Sequence, residues 1–191
     1  MEQGSGQTLT ALPETEESIE QLAAKARAGC LVSFEKIVEQ YKDRLFTFLM
    51  QIVGNEHDAE DLAQEAFVKA YRHLHTFDGR ARFSTWLYTI AKNGAFTHLR
   101  KRRPQQPIEG MEDILSAPVP TDGSDAESIW MIARKLKPKF YETLWLFYAE
   151  GFSLKETAAI MKTNAITVRV NLHRARAALA KKLEKHEHPF R

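Results

Sequence analysis

The chain has 191 residues, 43% of them hydrophobic, and its 27 lysines and arginines against 25 aspartates and glutamates leave a formal net charge of +2. That is apolar material for one or two packed domains, and no apolar run approaches the ~20 residues of a membrane span. The single cysteine, Cys30, excludes an internal disulfide and a multi-thiolate metal cage. The acidic N-terminus lacks a basic-then-apolar signal pattern, so a cytoplasmic protein is expected, with Cys30 as a small core filler.

Residues 1–17 carry few large apolar groups and no period, which predicts a disordered tail. From Ser18, the positions Ile19, Leu22, Ala23 and Ala26 follow the helical period and stop near Gly29. A second amphipathic run, Phe34, Ile37, Val38, Tyr41, Leu45, Phe48, Leu49 and Ile52, ends at Gly54. Asn55 then suits an N-cap, with Glu56 and Asp58 near the positive end of the helix dipole. The helix it opens buries Ala59, Leu62, Ala63, Ala66, Phe67, Ala70 and Leu74 and shows Glu60, Asp61, Gln64, Glu65 and Arg72 on the opposite face. Residues 76–82 read as a loop through Asp78 and Gly79, and a fourth helix runs from Phe83 to Arg103, where Pro104 forbids continuation.

Prolines and glycines between 104 and 124, with acids as the only charges, predict a flexible acidic linker. A second helical unit spans 125–185, followed by a short tail at 186–191. No strand-type alternation is long enough for a sheet, so the fold class is all-α, two small helical domains (18–103 and 125–185) on a linker. Within the second unit, residues 151–169 have the layout of a helix-turn-helix. Ser153 caps a short helix packed through Ala158, Ala159 and Met161, a turn follows at 162–164, and a second helix carries Ile166, Val170, Leu172, Ala175 and Leu179 toward the core. Its outer side presents Thr167, Arg169, His173, Arg174 and Arg176, a polarity suited to a DNA groove and its phosphates.

Charge is segregated by segment. Arg100, Lys101, Arg102 and Arg103 form one basic run and the last helix another, with the acidic linker between them, as in a chain that meets a polyanion at two places. Lys92, Arg100, Arg102 and Arg103 lie beside Phe83, Trp86 and Tyr88, the cation-plus-aromatic set that an opened duplex requires. Trp86 equally fits a core position, and the acidic helix face equally fits a solvated surface. His73 with His75 and His186 with His188 have metal-pair spacing, but the first pair ends a helix and the second lies in the tail, so no metal site is expected. No spacing suggests a catalytic set, and no cofactor is expected.

The run from Leu136 through Gly151-Phe-Ser-Leu-Lys-Glu-Thr-Ala to Thr167-Val-Arg and Leu172-His-Arg-Ala-Arg resembles region 4 of extracytoplasmic-function (ECF) sigma factors of the sigma-70 family. Asp58-Ala-Glu-Asp-Leu-Ala-Gln-Glu-Ala-Phe is similar to their region 2.2, and Phe83-Ser-Thr-Trp-Leu-Tyr with Leu99-Arg-Lys-Arg-Arg to their regions 2.3 and 2.4. The resemblance implies binding to core RNA polymerase through Asp58, Asp61, Gln64 and Glu65. It implies −10 contacts from Phe77, Arg80, Arg82, Phe83, Trp86, Lys92, Asn93, Arg100, Arg102 and Arg103, with the loop 77–83 capturing a base. It also implies −35 contacts from Thr167, Arg169, Val170, His173, Arg174 and Arg176. An anti-sigma factor, commonly membrane-anchored, and a stress- or metal-responsive regulon follow from the same likeness. A helix-turn-helix regulator acting alone, with an effector-binding first domain, is the alternative. Limited proteolysis is expected to cut first between Gln105 and Ser124 and leave two helical fragments, since that segment has little burial to protect its backbone. An uncut linker outlasting both flanking fragments on a gel contradicts the two-domain reading.

Overall fold

The computed structural model describes residues 17–102 and 125–187, the side chains of the second stretch over 129–184. The expected linker at 104–124, Arg103, and residues 1–16 and 188–191 of the expected tails lie outside the described residues. Among the described residues all regular structure is helical.

Helix α1, Ile19–Arg27, begins at a capping box in which Ser18 and Gln21 exchange hydrogen bonds between side chain and backbone. Helix α2, Leu31–Val53, ends where Gly54 takes φ 71°, a left-handed cap that leads directly into the next element. Asn55 Oδ1 accepts from the Asp58 N–H at 2.9 Å and opens α3, Glu56–Arg72. A single 3₁₀ turn, Leu74–Thr76, precedes α4, Phe83–Arg102. Leu45, Phe48 and Leu49 of α2, Leu62 and Phe67 of α3, and Leu87, Tyr88 and Ala91 of α4 are buried together, so the period read from sequence becomes one core.

Cys30 is not a core filler. It is exposed, as N-cap of α2, and its Sγ accepts from the Ser33 hydroxyl at 3.2 Å. Its spacing to Phe34 is in phase with the buried stripe, but it precedes the helix, where the backbone is extended and the side chain leaves that stripe. The Ser33 hydrogen bond holds its thiol below the usual range.

In the second unit, α5 is Asp125–Ala133 and α6 is Pro138–Leu144, the latter with proline at its first turn, where the missing N–H costs nothing. A π turn, Trp145–Ala149, follows, closed by the Glu150 N–H on the Trp145 carbonyl at 3.0 Å. Then come α7, Leu154–Ile160, with a Ser153/Glu156 capping box, and α8, Ala165–Glu187. Leu136, Tyr141, Leu144, Ala158, Val168, Leu172 and Ala175 form its core, beside a ring cluster of Trp130, Tyr141 and Trp145. Two details differ from expectation: α7 packs through Thr157, Ala158 and Ile160, leaving Ala159 exposed, and α8 packs through Val168 while Ile166 and Val170 stay exposed. Val168, Leu172, Ala175 and Leu179 keep a roughly 3.6-residue period, and Ile166 and Val170 fall on another face of the same cylinder.

The two units touch. Leu146, Phe152 and Ile160 complete the first unit's core, and the Phe152 ring meets Tyr88 edge-on with centroids 5.1 Å apart. Around this apolar contact, carboxylates of the second unit face polar groups of the first: Glu142 pairs with Lys92, Glu150 with Arg44 and Tyr88, and Glu156 with Arg82. Leu45, fully buried in α2, anchors the first unit. Leu45→Ala should lower unfolding free energy by about 2–5 kcal/mol in a denaturant titration, whereas Cys30→Ser should stay within about 0.5 kcal/mol of wild type.

Candidate nucleic-acid interface

The helix-turn-helix is built by local hydrogen bonds. Thr163 and Lys162 N–H groups donate to the Ala158 and Ala159 carbonyls at 2.9 and 3.2 Å, closing α7. Lys162 itself has φ 53°, a left-handed conformation uncommon outside glycine. Asn164 Oδ1 then accepts from the Thr167 N–H at 2.8 Å and starts α8. With Val168, Leu172 and Ala175 inward, the exposed outer face centres on Ile166, Val170 and His173. Arg169 and Arg176 flank it on one side, Thr167 and Arg174 on the other, by the helical period. All six expected −35 residues are exposed. Ile166, 76% exposed at the helix start, was missed, although its spacing of four from Val170 signals a shared face.

The loop 77–82 is tied down by the Arg27 guanidinium, which donates to the Phe77 carbonyl at 2.9 Å. Phe77 and Phe83 were expected to touch DNA, yet both are buried. They instead pack with Trp86 in a three-ring cluster, centroids 5.4 to 5.6 Å apart, and so support the tryptophan that remains partly exposed. Both rings belong to the first unit's buried core cluster, together with Leu22, Leu74 and Leu87. Trp86 borders an open groove of about 370 Å³ whose lining includes Lys69, His73, Asn93 and Thr97. An aromatic face beside amide, hydroxyl and ammonium groups matches what an unstacked base offers. The spacing Trp86, Ile90, Asn93, Thr97 already marks this stripe in sequence, but its apolar half reads as core.

The cations of this region have different fates. Arg80 and Arg100 are exposed, Arg80 bridging to Asp78 at 3.2 Å. Arg82 reaches Glu156 at 3.3 Å, and Lys92, with 9% of its side chain exposed, pairs with Glu142. Arg102 pairs with Asp58, which His98 Nε2 also approaches at 3.5 Å. Burial alone would raise the Glu156 carboxyl, but hydrogen bonds from Ser153 and Thr85 and the nearby Arg82 hold it below the usual range.

Asp61, Gln64 and Glu65 are exposed along one face of α3, with only surface pairs to His57 at 3.6 Å and Lys69 at 2.7 Å. Asp58 leaves that face for α4, its side chain 18% exposed. Val68 and Tyr71, both about half-exposed, extend the acidic stripe with apolar surface that the acidic motif did not reveal. Among the described residues no group of three metal-ligating side chains occurs, and the His73 and His75 rings stand 6.3 Å apart.

The family model of sigma-70 region 2 matches residues 37–105, and that of sigma-70 region 4 matches residues 126–179. The ECF RNA polymerase sigma factor SigW of Bacillus subtilis (strain 168) is 34% identical over 174 residues, covering 83% of this chain and 93% of its own. The ECF RNA polymerase sigma-E factor of Escherichia coli (strain K12) is 30% identical, covering 85% and 93%. Among solved structures, that of CnrH in complex with the cytosolic domain of CnrY aligns with a TM-score of 0.63 at 26% identity, over 85% of this chain and 95% of that one. Both regions stand in order on one chain, which sets aside the regulator acting alone. A helix-turn-helix with a basic-flanked outer face, joined to a unit that matches region 2, is the working set of a promoter-specificity subunit, and the chain belongs to the ECF sigma factors of the sigma-70 family.

Proposed function

We propose that this sigma factor divides its work between the two units: residues 18–103 join core polymerase and read the −10 element, and residues 125–185 read the −35 element. The observation that carries the reading is the outer face of α8, apolar at its centre and flanked by arginines on both sides. In a major groove, Ile166, Val170 and His173 meet base edges, where an apolar group suits the thymine methyl. Arg169, Arg174 and Arg176 then reach the phosphates on either wall, with Thr167 at the helix start. In the first unit, Arg80, Arg82, Lys92, Arg100, Arg102 and Arg103 hold backbone phosphates while the groove beside Trp86 and Asn93 takes one unstacked base. Phe77 and Phe83 act from behind, by fixing the tryptophan.

Core polymerase is met by Asp61, Gln64 and Glu65, with Val68 and Tyr71 adding apolar contact area of the kind protein interfaces use. Asp58 serves as a brace, holding Arg102 and the end of α4 against α3. The protein works in the cytoplasm and supplies binding and positioning, without catalysis of its own. Among the described residues no helix is long and apolar enough to cross a membrane. Control by an anti-sigma factor, membrane-anchored, is supported by the likeness to CnrH, solved with the cytosolic domain of CnrY.

If Arg169 and Arg174 hold phosphates, Arg169→Ala and Arg174→Ala should weaken binding to all promoters alike, each lowering the salt dependence by about one phosphate contact. Val170→Ala should instead change sequence preference at one position by ~1–3 kcal/mol. Competition binding across −35 variants at two salt concentrations measures both, and a sequence-selective effect of either arginine would reassign it to base reading. Asp61→Lys combined with Glu65→Lys should abolish co-purification with core polymerase. The fold should hold, because the surface pairs lost contribute only ~0–1 kcal/mol each, whereas like charges set across an interface cost several kcal/mol. Circular dichroism on the same samples checks folding, and a folded double variant that still binds core would refute the assignment of this face.

A further inference from the structure

The groove beside Trp86 is polar in an uneven way. Thr76 and Thr97 both line it, both are exposed, and both spend their hydroxyl proton on a backbone carbonyl. Thr97 donates to the Asn93 carbonyl at 2.8 Å, one turn back in α4, and Thr76 donates to the His73 carbonyl at 2.7 Å across the 3₁₀ turn. A hydroxyl has one proton and two lone pairs, so each of these threonines offers a visitor lone pairs alone. Lys69, on the same lining, has the opposite character: an ammonium group donates three times and never accepts, and its pairing with Glu65 at 2.7 Å uses one donor. The Asn93 amide does both. The polarity of the groove is thus set by the backbone carbonyls to which its hydroxyls are bound.

We infer that Thr76 and Thr97 determine specificity, and that the groove selects the amino-bearing edge shared by cytosine and adenine over the carbonyl-bearing edge of thymine and guanine. The inference rests on the reading of this groove as the place of one unstacked base. A base held out of the stack is recognised by hydrogen bonds to its Watson–Crick edge. Cytosine and adenine present there an exocyclic amino group, a donor, beside a ring nitrogen that accepts. Thymine and guanine reverse the order, with a carbonyl oxygen that accepts beside a ring N–H that donates. Facing hydroxyls whose protons are already committed, an amino group finds acceptors, and the neighbouring ring nitrogen takes a hydrogen bond from Lys69 or Asn93. A thymine or guanine carbonyl turned the same way meets lone pairs and gives up the water it held, which costs affinity. Stacking on Trp86 is open to every base, so it adds affinity without choosing among them. The choice falls to the two threonines.

The test uses the full chain and single-stranded DNA of about ten nucleotides, thymidine except at one central position. That position carries deoxycytidine, deoxyuridine, deoxyadenosine or deoxyinosine. Cytosine with uracil, and adenine with hypoxanthine, are matched in ring size and differ only at the edge. Fluorescence anisotropy of the labelled DNA gives affinity, and quenching of tryptophan emission that is lost in Trp86→Phe shows that the base enters the groove. Deoxycytidine should bind at least about tenfold more tightly than deoxyuridine, and deoxyadenosine than deoxyinosine, the discrimination of one well-paired edge. Thr76→Val combined with Thr97→Val keeps side-chain shape, removes the lone pairs, and should bring each pair to within about twofold. Thr97→Val alone, expected to narrow the gap at least about threefold, serves if circular dichroism shows the double variant unfolded. Equal affinity within the pairs, a preference for uracil and hypoxanthine, or a preference that survives in the variants overturns the selection. DNA that binds without Trp86-dependent quenching, or not at all, overturns the base groove and the selection with it. Co-purification with core polymerase runs alongside: a chain that fails to bind core puts the sigma-factor surfaces at fault, while the matched pairs still decide the edge.

Discussion

A carboxylate closed off from water must have its lone pairs taken up, and Glu150 meets that demand from both units at once. Tyr88 and Arg44 approach from the first unit, and the Trp145 indole N–H, at 3.2 Å, from its own. The π turn makes this possible: its wider loop of backbone, with Glu150 bonded back to Trp145, brings the indole and the carboxylate to the same point. Gly151, at φ 72°, then turns the chain so that Phe152 enters beside Tyr88. Burial, with Glu150 beside it, pushes the Tyr88 hydroxyl far above the ordinary phenol range, so it stays a donor at any physiological pH. Seating of α7 on α4 and the burial of Lys92 beside Glu142 accompany this one junction.

Most of the architecture was legible because its signals are local. Asn55 and Ser153 each cap the helix that their residue type and position announced, Ser18 caps the helix whose period begins there, and Gly54 ends α2 where a left-handed residue was needed. Phase was less secure. Val168, Ile166 and Val170 are alike in hydrophobicity, and choosing the buried one required knowing that Ala158 and Leu144 lie across from it. Aromatic residues next to basic ones looked like an exposed platform, but Phe77 and Phe83 are buried against Trp86. The junction was invisible in sequence. Its hydrogen bonds join residues 62, 71 and 106 positions apart, and a glutamate on an amphipathic helix carries no mark of what it will face.

A protein that must bind both DNA and another protein has to keep the two from competing for the same surface. Here the acidic stripe of α3 and the arginine-flanked face of α8 lie on different units, so under the proposed division phosphate is repelled from the face assigned to polymerase and drawn to the face assigned to DNA. The apolar residues within each face sharpen the division. Val68 and Tyr71 place exposed apolar surface beside the acidic stripe, and Ile166 and Val170 place it between the arginines of α8.

The chain has three tryptophans, one beside the groove and two packed together in the second unit. Trp86 borders the open groove, Trp145 donates to the buried Glu150, and Trp130 packs against Trp145 with ring centroids 5.0 Å apart. An indole whose N–H is held by a carboxylate in a dry site emits differently from one facing water. Light from Trp145 therefore reports on the buried junction and light from Trp86 on the open groove, and neither needs a dye.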